Sequence, residues 1–273
     1  MSFKVVITMN NRPPSEITLN VIRDAGLEVE YVKCATENEV ITAAQGADVL
    51  LVGTVPHTTR RVLEALPNLK MVGRSGVGVD SVDLDAATEL GICVTNTPGI
   101  NTSEVADHAM AMLLSITRKI PEQTAALKSG AWSDRPQEVE KLRGQLRRIA
   151  GTTVGIFGLG SIGKAFAIRV RGFGPEKIIA HDPYVPQTTA DLFGVQLVDF
   201  DTLLAESDFI TVHSPATVET NHIFNIDAFR KMKSSAIFIN CARGPLVDEA
   251  GLQEALETGE IIAAGIDVTE VEP

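Results

Sequence analysis

The hexapeptide Gly158-Leu159-Gly160-Ser161-Ile162-Gly163 constrains the fold of this chain more than any other stretch. It follows an apolar run of strand character, Thr153 to Phe157, and opens a run in which Ile162, Ala165, Phe166, Ile168 and Val170 recur at helical spacing. In that context Gly158 permits a tight turn, Gly160 lets a pyrophosphate approach the backbone, and Gly163 allows helix and strand to pack closely. Ser161 and Ile162 then stand at a helix N-terminus facing the anion, where unpaired amides favour negative charge. The glycine spacing alone is a weak signal, since it also serves as a packing turn. Asp182 strengthens it, nineteen residues past Gly163 at the end of the run Ile178 to Asp182. A carboxylate there accepts hydrogen bonds from an adenosine ribose diol and repels a 2′-phosphate, so NAD is expected rather than NADP.

Strand-like and helical runs alternate along the rest of the chain. β-Branched runs at 4–8, 29–32, 49–53, 71–74 and 92–95 are separated by helical patterns near 15–25, 37–44, 60–66 and 81–90. Continuously apolar strands alternating with helices predict a parallel sheet covered on both faces. Asn101-Thr102-Ser103-Glu104 then resembles a capping box, and Val105, Ala106, Ala109, Met110, Leu113, Leu114 and Ile116 predict a long helix to about Ile120. A polar, basic stretch with Gly130, Trp132, Pro136 and Gly144 follows. A second alternation places strands at 153–157, 177–181, 196–198, 209–212, 236–240 and 262–268. The expected class is α/β, with two doubly wound parallel-sheet domains over residues 1–101 and 102–273.

A net charge of −11 gives the surface no overall attraction for a polyanion, which argues against nucleic acid as a partner. The basic cluster Lys141, Arg143, Arg147 and Arg148 reads as a solvated helical face. No apolar run reaches the ~18 residues of a membrane-spanning helix, so no membrane partner is expected. The start Met1-Ser2-Phe3-Lys4 lacks the order of a signal peptide, which makes the cytoplasm the expected compartment. Cys34, Cys93 and Cys241 are far apart and unpaired in spacing, so neither a disulfide framework nor a metal site is expected.

Several further segments stand in a recognisable order: Gly73 to Asp80, Asn96-Thr97-Pro98-Gly99, Val105-Ala106-Asp107-His108, His213-Ser214-Pro215, Asn240 to Gly244 with Val247-Asp248-Glu249, and Asp267 to Pro273. With the glycine turn, they resemble the D-isomer-specific 2-hydroxyacid dehydrogenases. That family includes phosphoglycerate dehydrogenase, glyoxylate and hydroxypyruvate reductases, and the C-terminal binding protein co-repressors. The resemblance implies a flavodoxin-like substrate domain followed by a Rossmann NAD-binding domain. It implies that Arg243 clamps the substrate carboxylate and carbonyl, which suits a planar guanidinium at the carboxyl end of a strand. It further implies that Glu272 pairs with a catalytic histidine and that Asp267 contacts the nicotinamide carboxamide. His213, Ser214, Pro215 and Thr217 would flank the nicotinamide ribose, and Cys241 and Ala242 would touch the cofactor through backbone. Ser75, Gly76 and Val77 would offer amides to the substrate carboxylate.

The same resemblance puts the acid–base histidine downstream of Glu272-Pro273. None of His57, His108, His181, His213 and His222 matches it, so the chain is expected to be clipped from a longer one. The expected activity is hydride transfer between NAD and a small D-2-hydroxy or 2-oxo acid, by a homodimer formed through the helix from Asn101. The alternative is an NAD-sensing, dimerising binding protein of the co-repressor type without turnover. Glyoxylate-like and hydroxypyruvate-like acids suit the sequence equally.

Overall fold

The computed structural model describes residues 3–10 and 13–271, which form two compact units spanning 1–100 and 101–273. In the first unit five parallel strands, β1 (Lys4–Thr8), β2 (Glu28–Tyr31), β3 (Val49–Val52), β4 (Met71–Arg74) and β5 (Cys93–Thr95), lie in the order β2-β1-β3-β4-β5. This is the order of flavodoxin-like sheets. Helices α1 (Glu16–Asp24), α2 (Glu37–Ala43), α3 (Arg60–Glu64) and α4 (Leu84–Glu89) connect them. Val6, Leu50 and Val72 from the central strands pack with Val40, Ala44, Val62, Leu63 and Ala86 from the helices. The fourth helix starts three residues later than its periodicity predicts. Asp83 caps it by accepting the Ala86 N–H at 2.8 Å, while the Ser81 carbonyl is taken by the Thr58 N–H at 2.7 Å.

The second unit opens with α5 (Thr102–Thr117), α6 (Ile120–Lys128), α7 (Ala131–Asp134) and α8 (Pro136–Gly144). It continues through β6 (Thr153–Phe157), α9 (Ser161–Arg171), β7 (Lys177–His181), α10 (Gln187–Asp191), β8 (Gln196–Leu197), α11 (Phe200–Glu206) and β9 (Phe209–Val212). The last elements are α12 (Ile226–Lys231), β10 (Ile237–Asn240), α13 (Glu249–Thr258) and β11 (Ala263–Ile266). All pairs are parallel, in the order β8-β7-β6-β9-β10-β11, the doubly wound dinucleotide-binding arrangement. The chain reverses direction across the sheet between β6 and β9.

Alternation along these strands feeds two cores. Val154, Ile156, Ile178, Ala180, Ile237 and Ile239 face α5 and α9, where Ala109, Met110, Leu113, Phe166 and Val170 are buried. Phe157, Ile179, Ile210, Val212 and Phe238 face the other way, onto Leu203, Leu204, Phe229, Leu252 and Ala255. Each such fully buried large side chain stabilises the fold by about 1.5–3 kcal/mol.

Two expectations for the opening helices need correction. Asn101 precedes α5, but its side chain makes no cap hydrogen bond and its Oδ1 is buried without a partner, so the capping box does not form. The long helix ends at Thr117, because Lys119 adopts a left-handed φ of 53° and restarts the chain as α6. The polar stretch after it is helical, with prolines at the starts of α6 and α8, where a missing N–H costs nothing. Within the basic cluster Arg147 is no solvated bystander, since its guanidinium donates to the Ser235 carbonyl. Among the described residues no helix is long and apolar enough to cross a membrane, and no group of three or more His, Cys, Asp or Glu is placed to hold a metal.

Candidate active site

The register of the six-stranded sheet aligns the last residues of its strands. Phe157 pairs with His181 and Val212, Val212 with Asn240, and Asn240 with Ile266. The residues that follow therefore form one row along the carboxyl edge, in the order Asp182, Gly158, His213, Cys241, Asp267. Backbone bonds carry the row past the strands: the Gly158, His213 and Asp267 amides donate to His181, Phe157 and Asn240 carbonyls at 3.0, 2.7 and 3.0 Å. Four spacings of ~4.8 Å separate the two aspartates by roughly 19 Å, the scale of an extended dinucleotide. Carboxyl edges at a reversal of strand order are where open α/β sheets bind ligands.

The glycine turn lies at the centre of this row, and its three glycines differ physically. Gly158 has φ 91°, and a Cβ on it would fall 2.7 Å from the Ser214 amide nitrogen. Gly163 is buried, and a Cβ there would meet the Gly158 carbonyl oxygen at 2.2 Å. Gly160 is exposed and has nothing within 4 Å of where a Cβ would stand. It is also the N-cap of α9 and supplies no side-chain cap, so the first-turn amides of Ser161, Ile162 and Gly163 have no intrahelical acceptor. The arrangement fits a dinucleotide: open backbone at Gly160, an anion-seeking helix start, and Asp182 beside it. Asp182 Oδ2 accepts the Leu159 N–H at 2.8 Å and Oδ1 the Tyr184 N–H at 2.9 Å, so this carboxylate is locked to the turn it serves.

Further along the row His213 keeps some exposed surface, but its Nδ1 is enclosed without a hydrogen-bond partner and its Nε2 lies 3.0 Å from the Thr211 hydroxyl. Burial pulls its pKa down to about 3, so the ring is neutral at physiological pH. Ser214 packs against Gly158. Past Pro215, the Thr220 hydroxyl accepts the Thr217 N–H at 2.8 Å and donates to the Pro215 carbonyl at 2.9 Å, so this residue, unnoticed in the sequence, shapes the loop. The Cys241 thiol is pushed up to about 12, chiefly by burial and secondly by the nearby Asp267 charge.

Arg243 follows in a turn held by buried Asn240. The Asn240 Oδ1 accepts the Ala242 N–H and its Nδ2 donates to the Arg243 carbonyl, both at 3.0 Å. The Arg243 guanidinium donates to the Ala242 carbonyl at 2.7 Å. Ala242 thus has its amide held by the Asn240 side chain and its carbonyl met by the Arg243 guanidinium. Gly244 begins a short 3-10 turn, Gly244–Leu246, and a Cβ on it would meet the Thr269 carbonyl oxygen at 1.9 Å. The segment after Asp267 is also held by His222 Nε2 on Glu270 Oε1 and by the Glu270 N–H on Glu249 Oε1. Glu272 lies outside the described residues.

In the first unit Ser75, Gly76 and Val77 leave the carboxyl end of β4. Here the expected row of offered amides is reduced: Ser75 N–H donates to the Val52 carbonyl and Gly76 N–H to the Arg74 carbonyl, both at 2.9 Å. Gly76 has φ 150°, and a Cβ on it would lie 1.4 Å from Arg74 Nη1, so the arginine rests over the loop. Arg74 donates to the Ser75 carbonyl at 2.8 Å and to Thr54 Oγ1 at 2.9 Å. A cation at this loop is the feature that sequence reading missed.

Comparison with known proteins agrees with this geometry. The family described as D-isomer specific 2-hydroxyacid dehydrogenase, NAD binding domain, matches residues 110–273. The chain belongs to that family. A D-3-phosphoglycerate dehydrogenase of Archaeoglobus fulgidus is 43% identical over 96% of this chain and 48% of its own length. A hydroxypyruvate reductase of Thermotoga maritima is 42% identical over 98% of this chain and 83% of its own. The crystal structure of a glyoxylate reductase from Paecilomyes thermophila superposes with a TM-score of 0.88 at 27% identity, covering 100% of this chain and 83% of that one. The chain spans about half the length of the phosphoglycerate dehydrogenases it matches.

Proposed function

We propose that this chain serves an NAD-dependent oxidoreductase acting on a small D-2-hydroxy or 2-oxo acid. The observation that carries the reading is the single row Asp182, Gly158, His213, Cys241, Asp267, with Arg243 in the turn two residues past Cys241. In this reading the α9 amides and the Gly160 backbone hold the pyrophosphate, Asp182 the adenosine ribose, and Asp267 the nicotinamide end. When bound, NAD supplies the hydride acceptor for C2 of the acid. Arg243 orients the carboxylate and polarises the C2 oxygen, since a guanidinium offers two parallel donors to such a group. Of the loop Ser75, Gly76 and Val77, the Val77 amide is assigned to the substrate carboxylate, since the Ser75 and Gly76 amides are engaged within their own unit. Glu272 takes the role that the resemblance gives it, as partner of the acid–base histidine. The proposed substrates are small acids of the kinds named in the relatives above, phosphoglycerate, hydroxypyruvate and glyoxylate.

Two copies are proposed to associate as a homodimer. The apolar stripe of α5 is not the available surface, because Ala106, Ala109, Met110 and Leu113 are spent on the core of their own unit. The decisive experiment follows nicotinamide absorbance with a panel of small D-2-hydroxy and 2-oxo acids, for the full-length protein that carries the downstream histidine and for its Arg243→Ala variant. Turnover that Arg243→Ala abolishes while NAD binding persists supports the reading; no NAD binding at all sinks it. Light scattering in solution tests the dimer.

A further inference from the structure

We propose that His108 is a positioning residue for the nicotinamide end of the site, acting through Asp267. The inference rests on the NAD reading above and adds to it a residue from a different element. His108 Nε2 lies 3.2 Å from Asp267 Oδ1, an ion-pair distance between two half-exposed side chains.

Packing of α5 on β11 brings these two half-exposed side chains to the same end of the sheet. A Cβ on Gly265 would meet Ile239 Cδ1 at 2.9 Å, Met112 Cε at 3.0 Å and Ile116 Cδ1 at 3.1 Å, so at this glycine α5 lies close on β11. His108, Met112 and Ile116 follow one another at four-residue steps and share one face of α5. Asp267 is two residues past Gly265 and so leaves the sheet toward the same side. The face of α5 that lies on Gly265 therefore carries His108 to the end of β11. Met112 on this face also contacts the neighbouring strand end, its Sδ 3.5 Å from Cys241 Sγ.

Asp267 is thus bordered by a thiol that stays protonated and by an imidazole 3.2 Å from its Oδ1. The thiol adds no competing charge. In this proposal the imidazole beside Oδ1 biases which way the carboxylate is turned and leaves Oδ2 toward the carboxamide N–H. A carboxylate fixed in this way discriminates for a carboxamide, whereas one free to rotate must be ordered when the ligand arrives.

The test measures calorimetric binding of NAD and of ADP-ribose, which lacks the nicotinamide, to the parent chain, His108→Leu, His108→Gln, Asp267→Ala and the double variant His108→Leu/Asp267→Ala. The expected result is that His108→Leu weakens NAD by about five- to ten-fold and leaves ADP-ribose unchanged. Glutamine, which places an N–H donor near the Nε2 position, recovers most of the loss. In the Asp267→Ala background the leucine substitution has no further effect. The proposal is overturned if His108→Leu binds NAD as the parent does, if it weakens ADP-ribose equally, or if its effect persists without Asp267. A parent chain that binds ADP-ribose and NAD alike, whatever stands at position 108, also overturns it while leaving the dinucleotide reading intact. Failure to bind either nucleotide removes both.

Discussion

Asn240 donates from Nδ2 to the carbonyl oxygen of Arg243 at 3.0 Å, and it is 1% exposed. With the bond from the Ala242 N–H to its Oδ1, the side chain closes a turn that the backbone alone leaves open. The expected effect of Asn240→Ala is a loss of about 2 kcal/mol of stability in urea unfolding, the usual scale for orphaning buried polar groups. Asn240→Asp keeps the acceptor toward Ala242 but turns an anionic oxygen toward the Arg243 carbonyl. It is expected to raise KM for the acid more than Asn240→Ala does, with little change in NAD affinity.

The three glycines of the turn should separate fold from binding. Gly163→Ala brings a methyl to 2.2 Å from the Gly158 carbonyl oxygen and should lower the melting temperature clearly. Gly160→Ala meets nothing within 4 Å, so thermal stability should stay within about 0.5 kcal/mol of the parent. The same methyl stands where the pyrophosphate would approach, and NAD affinity should fall at least about ten-fold. Equal NAD affinity in parent and Gly160→Ala, measured by calorimetry, would refute the placement of the phosphates.

Asp182 holds the Leu159 amide and faces the proposed ribose site, so its charge and its hydrogen bond can be divided. Asp182→Asn retains an oxygen acceptor for Leu159 but loses the negative charge that repels a 2′-phosphate. The ratio of NAD to NADP affinity should drop by about ten-fold, with a modest fall in melting temperature because the Tyr184 N–H loses its acceptor. Asp182→Ala should cost stability as well, by freeing the turn.

His213 predicts an acid-sensitive stability. Its pKa is about 3 in the folded chain against an ordinary 6.5, so between these values the unfolded chain binds the extra proton. Its stabilising contribution is complete above pH 6.5 and is lost as pH falls, at about 1.4 kcal/mol per unit. Urea unfolding at pH 7.5 and pH 5 should therefore differ by about 2 kcal/mol more in the parent than in His213→Gln, whose side chain does not titrate. Parallel pH profiles for the two proteins would show that the ring is charged in the folded state.

Much of the site was legible in the residue order because its chemistry is local. A strand, three glycines and a helix start lie within eighteen residues, and Asp182 closes the next strand of the same unit. Residues whose role depends on a distant neighbour were not legible. Asn240 reads as the polar end of a buried strand, Thr220 as one of several loop threonines, and Arg74 as the last residue of β4. The helices α6 to α8 were hidden because their exposed faces leave no apolar stripe long enough to announce them.

The sequence by itself determined the strand–turn–helix that opens the dinucleotide site, the alternation that makes both units α/β, and the acid that follows the second strand. These follow from backbone freedom, side-chain periodicity and charge over a few residues. Only the tertiary structure decided that β6 pairs with β9, which brings Gly158, His213, Cys241 and Asp267 into one row, and that His108 meets Asp267 across 159 residues. Such neighbours are chosen by hydrogen-bond register and by which helix packs on which strand, and neither choice is made within a short stretch of chain.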